Sequence, residues 1–400
     1  MKFNLRHLLC ALEIQNSGTI SAAAKQIHLT QSALTQGINK LEATLGLTLF
    51  SRTNSGMYCT ENGARFLNRA DRAFKHLQYA GAMLFNADKP KMHSFVRSVS
   101  SRQLKALITI TELQSYTAAA IQMGLTQPTL HRSIKDLETL CEQCLFQRSP
   151  TGVEPTWRAR QLTRYASLFF AELSQGLEEI GEVNGRMNGS IRIGSLPLAR
   201  TEIVPRCVLQ LLDEFPLAQV SIIDGPYEEQ VNYLLHGQLH VIVGALRYPL
   251  PHNDIKQHKL FDDPLSMVVK AGHKFAKRAT LSNTELQSLK WVVPGKGVPA
   301  RLVFDELFNS RGLVPPEQVI ECSAMVAIRG LLLNSERAAL LPARQVDVEV
   351  KNGLLAVCPM PLADTNREIG LSMRKNWQAT HIQRRFLEII ESHYEQTATV

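Results

Sequence analysis

The first 60 residues recur without a gap 96 positions downstream, and this repeat limits the possible folds more tightly than any other property of the chain. Ala22-Ala23-Ala24 matches Ala118-Ala119-Ala120, and Thr30-Gln31 matches Thr126-Gln127. Ile38, Leu41-Glu42, Leu49-Phe50, Arg52, Gly56 and Thr60 then match Ile134, Leu137-Glu138, Leu145-Phe146, Arg148, Gly152 and Thr156. Two copies are too few for a solenoid, so the pattern predicts a tandem duplication of one small domain. A chain of 400 residues leaves room for at least one more core beyond them.

Within a copy the apolar residues keep helical spacing: Leu5, Leu8, Leu9 and Leu12; then Ile20, Ala23, Ala24 and Ile27; then Leu34, Ile38, Leu41 and Leu45. Thr19 or Ser21 is placed to cap the second helix and Thr30 the third. The small Ala22–Ala24 run allows close helix packing, and His28-Leu29 leaves only a tight connection. This is the geometry of a helix-turn-helix, whose second member enters the major groove of DNA. Residues 51–60, with Asn54, Ser55 and Gly56 as turn formers, read as a two-stranded wing carrying Arg52.

The run Ser21-Ala22-Ala23-Ala24, Leu29-Thr30-Gln31-Ser32-Ala33-Leu34-Thr35, Ile38, Leu41-Glu42, Leu45-Gly46, Leu49-Phe50 and Arg52 resembles the N-terminal winged helix-turn-helix of LysR-type transcription regulators. The second copy fits the same pattern except that Cys141-Glu142 stands where the family has Leu-Gly, and the duplication itself departs from the usual single domain. The resemblance implies a bacterial DNA-binding regulator, controlled by a small-molecule effector and assembled as a homodimer or homotetramer. The implied fold is two all-α winged helix-turn-helix domains followed by a two-lobed α/β effector domain like the periplasmic binding proteins. The expected boundaries are 1–60 for the first winged domain, 61–96 for a connecting helix and linker, and 97–156 for the second winged domain. A linker and dimerisation helix follows at 157–188, then effector lobe I at 189–264 and 367–400, and lobe II at 265–366.

Charge supports a polyanionic partner. The formal net charge is +8, and residues 1–96 hold 11 Lys and Arg against 5 acids, residues 97–188 hold 10 against 9, and the rest 23 against 22. A solvated basic face is the other reading of that first quarter. In copy one, Gln31, Ser32, Thr35 and Gln36 occupy the first turns of the recognition helix, where such side chains pair with base edges; the alternative makes Gln31 and Ser32 simple helix-start residues. Lys25, Lys40 and Arg52 suit phosphates, and Thr30 completes the set. Copy two offers Gln127, Pro128, His131, Arg132, Lys135 and Arg148, among the acids Asp136, Glu138 and Glu142 that predict weaker binding.

Residues 62–85 form an apolar-striped helix, about 36 Å long at ~1.5 Å per residue, ended by Lys89-Pro90-Lys91. That length matches the ~34 Å between successive major-groove faces. It leaves two readings of the second copy open: a second reader on the same duplex, or a dimerisation scaffold. Residues 157–182 form a second rod, ended by Asn184-Gly185 and Asn188-Gly189 and similar to the family's dimerising linker helix.

From Ser190 short strands alternate with helices, which predicts a mainly parallel sheet covered on both faces. Ligands in such sheets lie beyond the carboxyl ends of strands, near free helix N-termini. That rule selects Ser195, Leu196 and Pro197, then Gly244 and Ala245, then Gly295, Lys296, Gly297 and Val298, and finally Ser323, as a cup for a small anionic or sugar-like effector. Lys296 favours a carboxylate or phosphate, with a solvated lysine as the alternative.

No apolar run reaches the ~20 residues of a membrane span or the form of a signal peptide, and seven scattered cysteines suit a reducing compartment, so a cytoplasmic protein is expected. Cys141 and Cys144 have the spacing of half a zinc site without the other half, and read as buried thiols filling core positions. No nucleophile elbow, metalloprotease pair or dinucleotide fingerprint is present, so neither an enzyme, a cofactor nor a metal is expected. An architectural DNA-binding protein with a non-sensing C-terminal half is the alternative function.

Overall fold

A computed structural model describes residues 4–27, 29–53, 56–150, 152–183, 189–362 and 365–394. The chain divides into two compact units, one of residues 1–189 with 236–238 and one of residues 190–235 with 239–400.

The first unit contains the same order of elements twice. It opens with α1 (Leu5–Ser17), α2 (Ile20–Gln26), α3 (Gln31–Leu45), a hairpin of β1 (Phe50–Thr53) and β2 (Gly56–Cys59), and the long α4 (Glu61–Leu84). After α5 (Lys89–Ser98) the order returns as α6 (Ser101–Leu113), α7 (Tyr116–Met123), α8 (Gln127–Cys141), β3 (Phe146–Ser149), β4 (Gly152–Pro155) and α9 (Trp157–Val183). The helix starts follow from local chemistry. Thr19 and Thr30 accept from Ala22 N and Ala33 N at 3.2 Å each, and Thr126 does the same for Thr129 N. The recurring Glu also has a structural reason: Glu42 Oε1 accepts from Leu49 N at 2.7 Å, and Glu138 Oε1 from Leu145 N at 2.8 Å, so each holds the entrance to its hairpin.

Two expectations are corrected here. Lys89-Pro90-Lys91 does not open a linker but begins α5, because Asp88 caps the helix and Pro90 sits in its first turn, where the missing N–H costs nothing. Of the two cysteines expected inside, Cys141 is buried, its thiol pushed up to about 12 by burial and then by Glu138, whereas Cys144 is exposed. The predicted stop signals at 184–188 lie outside the described residues.

The α4 and α9 rods lie against each other. Phe74 meets Phe169 edge-on with ring centroids 5.4 Å apart, Tyr79 faces Tyr165 at 6.4 Å, and Arg69 reaches Glu172 at 3.0 Å and Gln175 at 3.1 Å and also pairs with Glu179. The guanidinium of Arg69 is 4% exposed and Arg72 shares Glu172, so the core of this seam is an ion cluster set among aromatic rings. Burial pushes the Glu172 carboxyl up, but Arg72 and Arg69 outweigh it and hold the group below the usual carboxylate range.

The second unit is a nine-stranded sheet with helices around it. In chain order it runs β5 (Ser190–Ser195), α10 (Pro197–Thr201), α11 (Ile203–Glu214), β6 (Gln219–Ile223), α12 (Tyr227–Leu235), β7 (Val241–Ala245) and β8 (Ile255–Lys270). It continues through α13 (Asn283–Ser288), β9 (Lys290–Val293), α14 (Pro299–Asn309), β10 (Val319–Glu321), α15 (Met325–Leu333), β11 (Arg337–Pro342), α16 (Asp347–Lys351), β12 (Leu355–Val357), β13 (Asn366–Arg374) and α17 (His381–Tyr394). The strand order is β10-β9-β11-β8-β13-β7-β5-β6, with β12 on β8. The sheet is mixed rather than mainly parallel. β5 with β6 and β7, and β9 with β10 and β11, are parallel, while the pairings of β8 and β13 are antiparallel.

The length of β8 was hidden by its polar first half. Lys256, His258, Lys259, Asp262 and Asp263 lack a strand's apolar alternation, so only residues 265–269 read as strand. The expected lobe boundary at 264/265 falls within this strand, where its partner changes from β13 to β11.

Candidate DNA interface and effector crevice

Gln31, Ser32, Gln36 and Lys40 are exposed on α3, Thr35 is half-buried, and Lys25 is exposed in the last turn of α2. Thr30 is engaged by its cap, and its hydroxyl lies 3.1 Å from that of Ser32. One short helix face thus combines amide and hydroxyl groups able to meet base edges with two flanking ammonium groups. Arg52 lies on β1, its side chain outside the described ones. Sequence reasoning missed His7, which packs on the back of α3: a Cβ on Gly37 would stand 3.2 Å from its ring. Burial and then Lys40 lower its pKa.

The second copy presents a different surface on the same frame. Gln127, Pro128, Arg132 and Lys135 are exposed on α8, and Arg148 is exposed on β3. His131 stacks on Tyr116, the ring centroids 3.9 Å apart and the planes 12° from parallel, while Lys135 lies 3.5 Å from Glu138. At an offset of 96 residues, Lys25 corresponds to Ile121, which is 77% exposed, and Lys40 to Asp136.

In the second unit, Leu196, Pro197, Ala245, Lys296, Gly297, Val298 and Ser323 line one crevice of about 560 Å³. Ser195, Gly244 and Gly295 do not form its wall. Ser195 is fully buried behind it; a Cβ on Gly244 would come within 2.4 Å of Leu196, so that glycine serves strand packing; and Gly295 backs onto Glu321. The helices α10, α14 and α15 start on this wall after Leu196, Val298 and Ala324, none of which caps its helix with a side chain; Pro197 and Pro299 have no N–H to offer, so the start of α15 is the one that presents its first backbone N–H groups.

Three arginines on the wall escaped the sequence reading. Arg200 donates from Nε to Ser195 O at 2.9 Å; Arg247 lies over the Tyr227 ring with Cζ 4.7 Å from its centroid; and Arg367 holds Asp263 at 2.7 Å. With Lys296 they outnumber the wall's acids, Asp224 and Glu228. Among the described residues, Tyr227 Oη, Arg247 Nη1, Arg367 Nε and Ser195 Oγ are buried without a hydrogen-bond partner. Burial, more than its charged neighbours, pushes the Tyr227 phenol up to about 12, so it is a neutral donor at physiological pH. Arg367 lies on β13, an antiparallel strand that the rule of parallel strand ends does not consider; Arg247, two residues past the end of β7, was within its reach.

Comparison with known proteins gives both units relatives. The model of the LysR substrate binding domain matches residues 184–395, and the model of the bacterial regulatory helix-turn-helix protein of the lysR family matches residues 5–64 and 101–160. The HTH-type transcriptional regulator GalR of Pseudomonas putida is 29% identical over 374 residues, covering 93% of this chain and 92% of that protein. PcaQ of Agrobacterium fabrum, also an HTH-type transcriptional regulator, is 22% identical over 280 residues, covering 70% of this chain and 90% of its own length. A full-length OxyR variant from Pseudomonas aeruginosa has a TM-score of 0.54 at 21% identity, covering 74% of this chain and 94% of that one. CbnR, a LysR family transcriptional regulator, has a TM-score of 0.53 at 21% identity, covering 74% of this chain and 99% of that one.

Proposed function

This chain belongs to the LysR family of transcription regulators, which bind DNA and respond to small-molecule effectors, and from that premise we propose which groups do each job. Gln31, Ser32, Thr35 and Gln36 read bases, while Lys25, Lys40 and Arg52 hold phosphates. Neither activity calls for a catalytic group, a metal or a cofactor. Among the described residues no helix is long and apolar enough to cross a membrane, and duplex DNA as partner supports a cytoplasmic site of action.

The effector is a small organic anion. The observation that carries this reading is the set of buried, unpartnered polar atoms on Tyr227, Arg247 and Arg367, set beside Arg200, Lys296 and the uncapped start of α15. Leaving such donors unsatisfied costs about 1–3 kcal/mol each, and a carboxylate supplies the acceptors. The wall's two clusters come from opposite sides of the sheet path, from β5 and β7 on one and β9 and β11 on the other, as in a two-lobed binding-protein fold. Binding there favours one lobe arrangement, and that preference is what reaches transcription.

A thermal-shift series on the full chain tests the assignment. Small mono- and dicarboxylates are expected to raise the melting temperature where neutral polyols of equal size do not, and Arg247→Gln to abolish the shift. Stabilisation by the neutral series alone, or carboxylate shifts unchanged in Arg247→Gln, would refute it.

A further inference from the structure

We infer that a single chain is a built-in pseudo-dimer, presenting two inverted reading surfaces to one duplex and recognising a bipartite site with unequal halves. The inference rests on copy one being a DNA reader and goes beyond it by assigning copy two. Residues on α4 and α9 pair so that one number falls as the other rises: Arg69 beside Gly176, Phe74 beside Phe169, Tyr79 beside Tyr165. The rods are therefore antiparallel. The pairing is also symmetric under exchange of the copies, because an offset of 96 carries Arg69 to Tyr165, and Ala80, the neighbour of Tyr79, to Gly176. Phe74 lies at the centre, touching the residue next to its own counterpart, Phe170.

The starts of α1 and α6 also lie close together. Asn4, Leu5 and Arg6 at the start of α1 share one cleft with Ser100, Ser101 and Arg102 at the start of α6, and these are the three counterparts at that offset. The rotation that exchanges the copies carries α3 onto α8, so the two helices are inverted with respect to each other, as the halves of a palindromic duplex site are.

The halves are not equal. Gln36 and Thr35 give way to Arg132 and His131, and the ring of His131 lies against Tyr116, which leaves Arg132 to read a guanine edge. The cations are also placed differently, since Ile121 and Asp136 stand where copy one has Lys25 and Lys40, while Lys135 stands where copy one has Asn39. One chain thereby fixes which way it lies on its operator, a direction that a symmetric dimer lacks.

Selection of random duplexes by the full chain, followed by hydroxyl-radical footprinting, tests this. The expected sites carry two inverted, dissimilar half-sites. Arg132→Ala, at an exposed position, is expected to remove protection and base preference in one half only and to weaken the whole site about tenfold, while Gln31→Ala affects only the other half. Identical half-sites, a single half-site, or an Arg132→Ala footprint unchanged from the parent would overturn the pseudo-dimer. Failure to enrich any duplex would instead overturn the DNA-reading assignment on which it stands.

Discussion

The two copies in the first unit share a backbone plan and differ where a phosphate would be held. Copy one places Lys25 and Lys40 beside the exposed face of α3, and copy two places Ile121 and Asp136 at the corresponding points beside α8. The interior tells the opposite story. Thr30 and Thr126 cap equivalent helices, Glu42 and Glu138 brace equivalent hairpins, and Leu41 and Leu137 are both buried. Residues that hold the fold are retained, whereas of those that would touch DNA Gln31 and Arg52 recur as Gln127 and Arg148 while Lys25, Thr35, Gln36 and Lys40 do not, so the second copy keeps its architecture with a different binding face.

Breaking the clamp between the copies has the largest expected effect. Arg69→Ala takes from Glu179 its arginine partner and leaves buried Glu172 with Arg72 alone, and we expect a loss of about 3 kcal/mol, read from urea denaturation of the full chain. A loss below ~1 kcal/mol would mean that apolar packing alone joins the copies. Next in size, Gln31→Ala should cost about 1–3 kcal/mol on the selected operator and almost nothing on random DNA, as measured by gel shift. A uniform loss on both would demote Gln31 to a helix-start residue.

Grafting the missing cation sharpens the contrast. Asp136→Lys should tighten DNA binding and steepen the slope of log affinity against log salt by about one unit, while Lys40→Ala makes it shallower by about the same. Equal slopes in parent and variants would show that neither position meets a phosphate. The helix ends differ more subtly. Gly18 and Gly46 take left-handed φ values of +72° and +64°, whereas their counterparts Gln114 and Glu142 take +49° and +54° with a side chain present. Gln114→Gly should stabilise the chain by roughly 0.5–1 kcal/mol, and Gly46→Ala should destabilise it by about 1 kcal/mol or more, both checked by thermal unfolding.

The smallest effect is a pH response confined to copy one. Burial, then Lys40, keep the His7 pKa below the ordinary value of 6.5, so the unfolded chain takes up this proton first. The resulting contribution is complete above pH 6.5 and declines as pH falls through the lower folded value. Gln103 occupies the matching position and does not titrate. His7→Gln should therefore flatten the decline in melting temperature as the pH is lowered from about 7.5 to about 5; an unaltered decline would place the titration elsewhere.

The architecture of the first unit was legible in the sequence because a gapless repeat exposes the caps, hairpins and apolar stripes twice. The packing of α4 on α9 was not. An apolar helix face declares that it is covered without declaring by what, and here the cover comes from the same chain. In the second unit, strand-end loops led to Leu196, Lys296 and Ser323, since connectivity controls where such loops gather. The arginines were out of reach for a different reason. Arg367 enters the wall from β13, and its neighbour there depends on a strand pairing between residues 104 positions apart that no local pattern announces. Ser195, one position before a wall residue, shows the limit of the loop rule: a strand's alternation turns every second side chain away.

The strand β8 carries a mechanical consequence. Its first ten residues are laced to β13 and its last six to β11 and β12, so one strand runs through both halves of the sheet and joins them without a loop. Any rotation of one half of the sheet against the other must be absorbed as torsion along that strand. The nearby bulge at Ile369/Gly370, where a Cβ on Gly370 would come within 2.0 Å of His258 O, is where the pleat already departs from regularity. On the proposed reading, an effector in the crevice would work against the stiffness of that strand, and its release would return the sheet to the angle its pairings set.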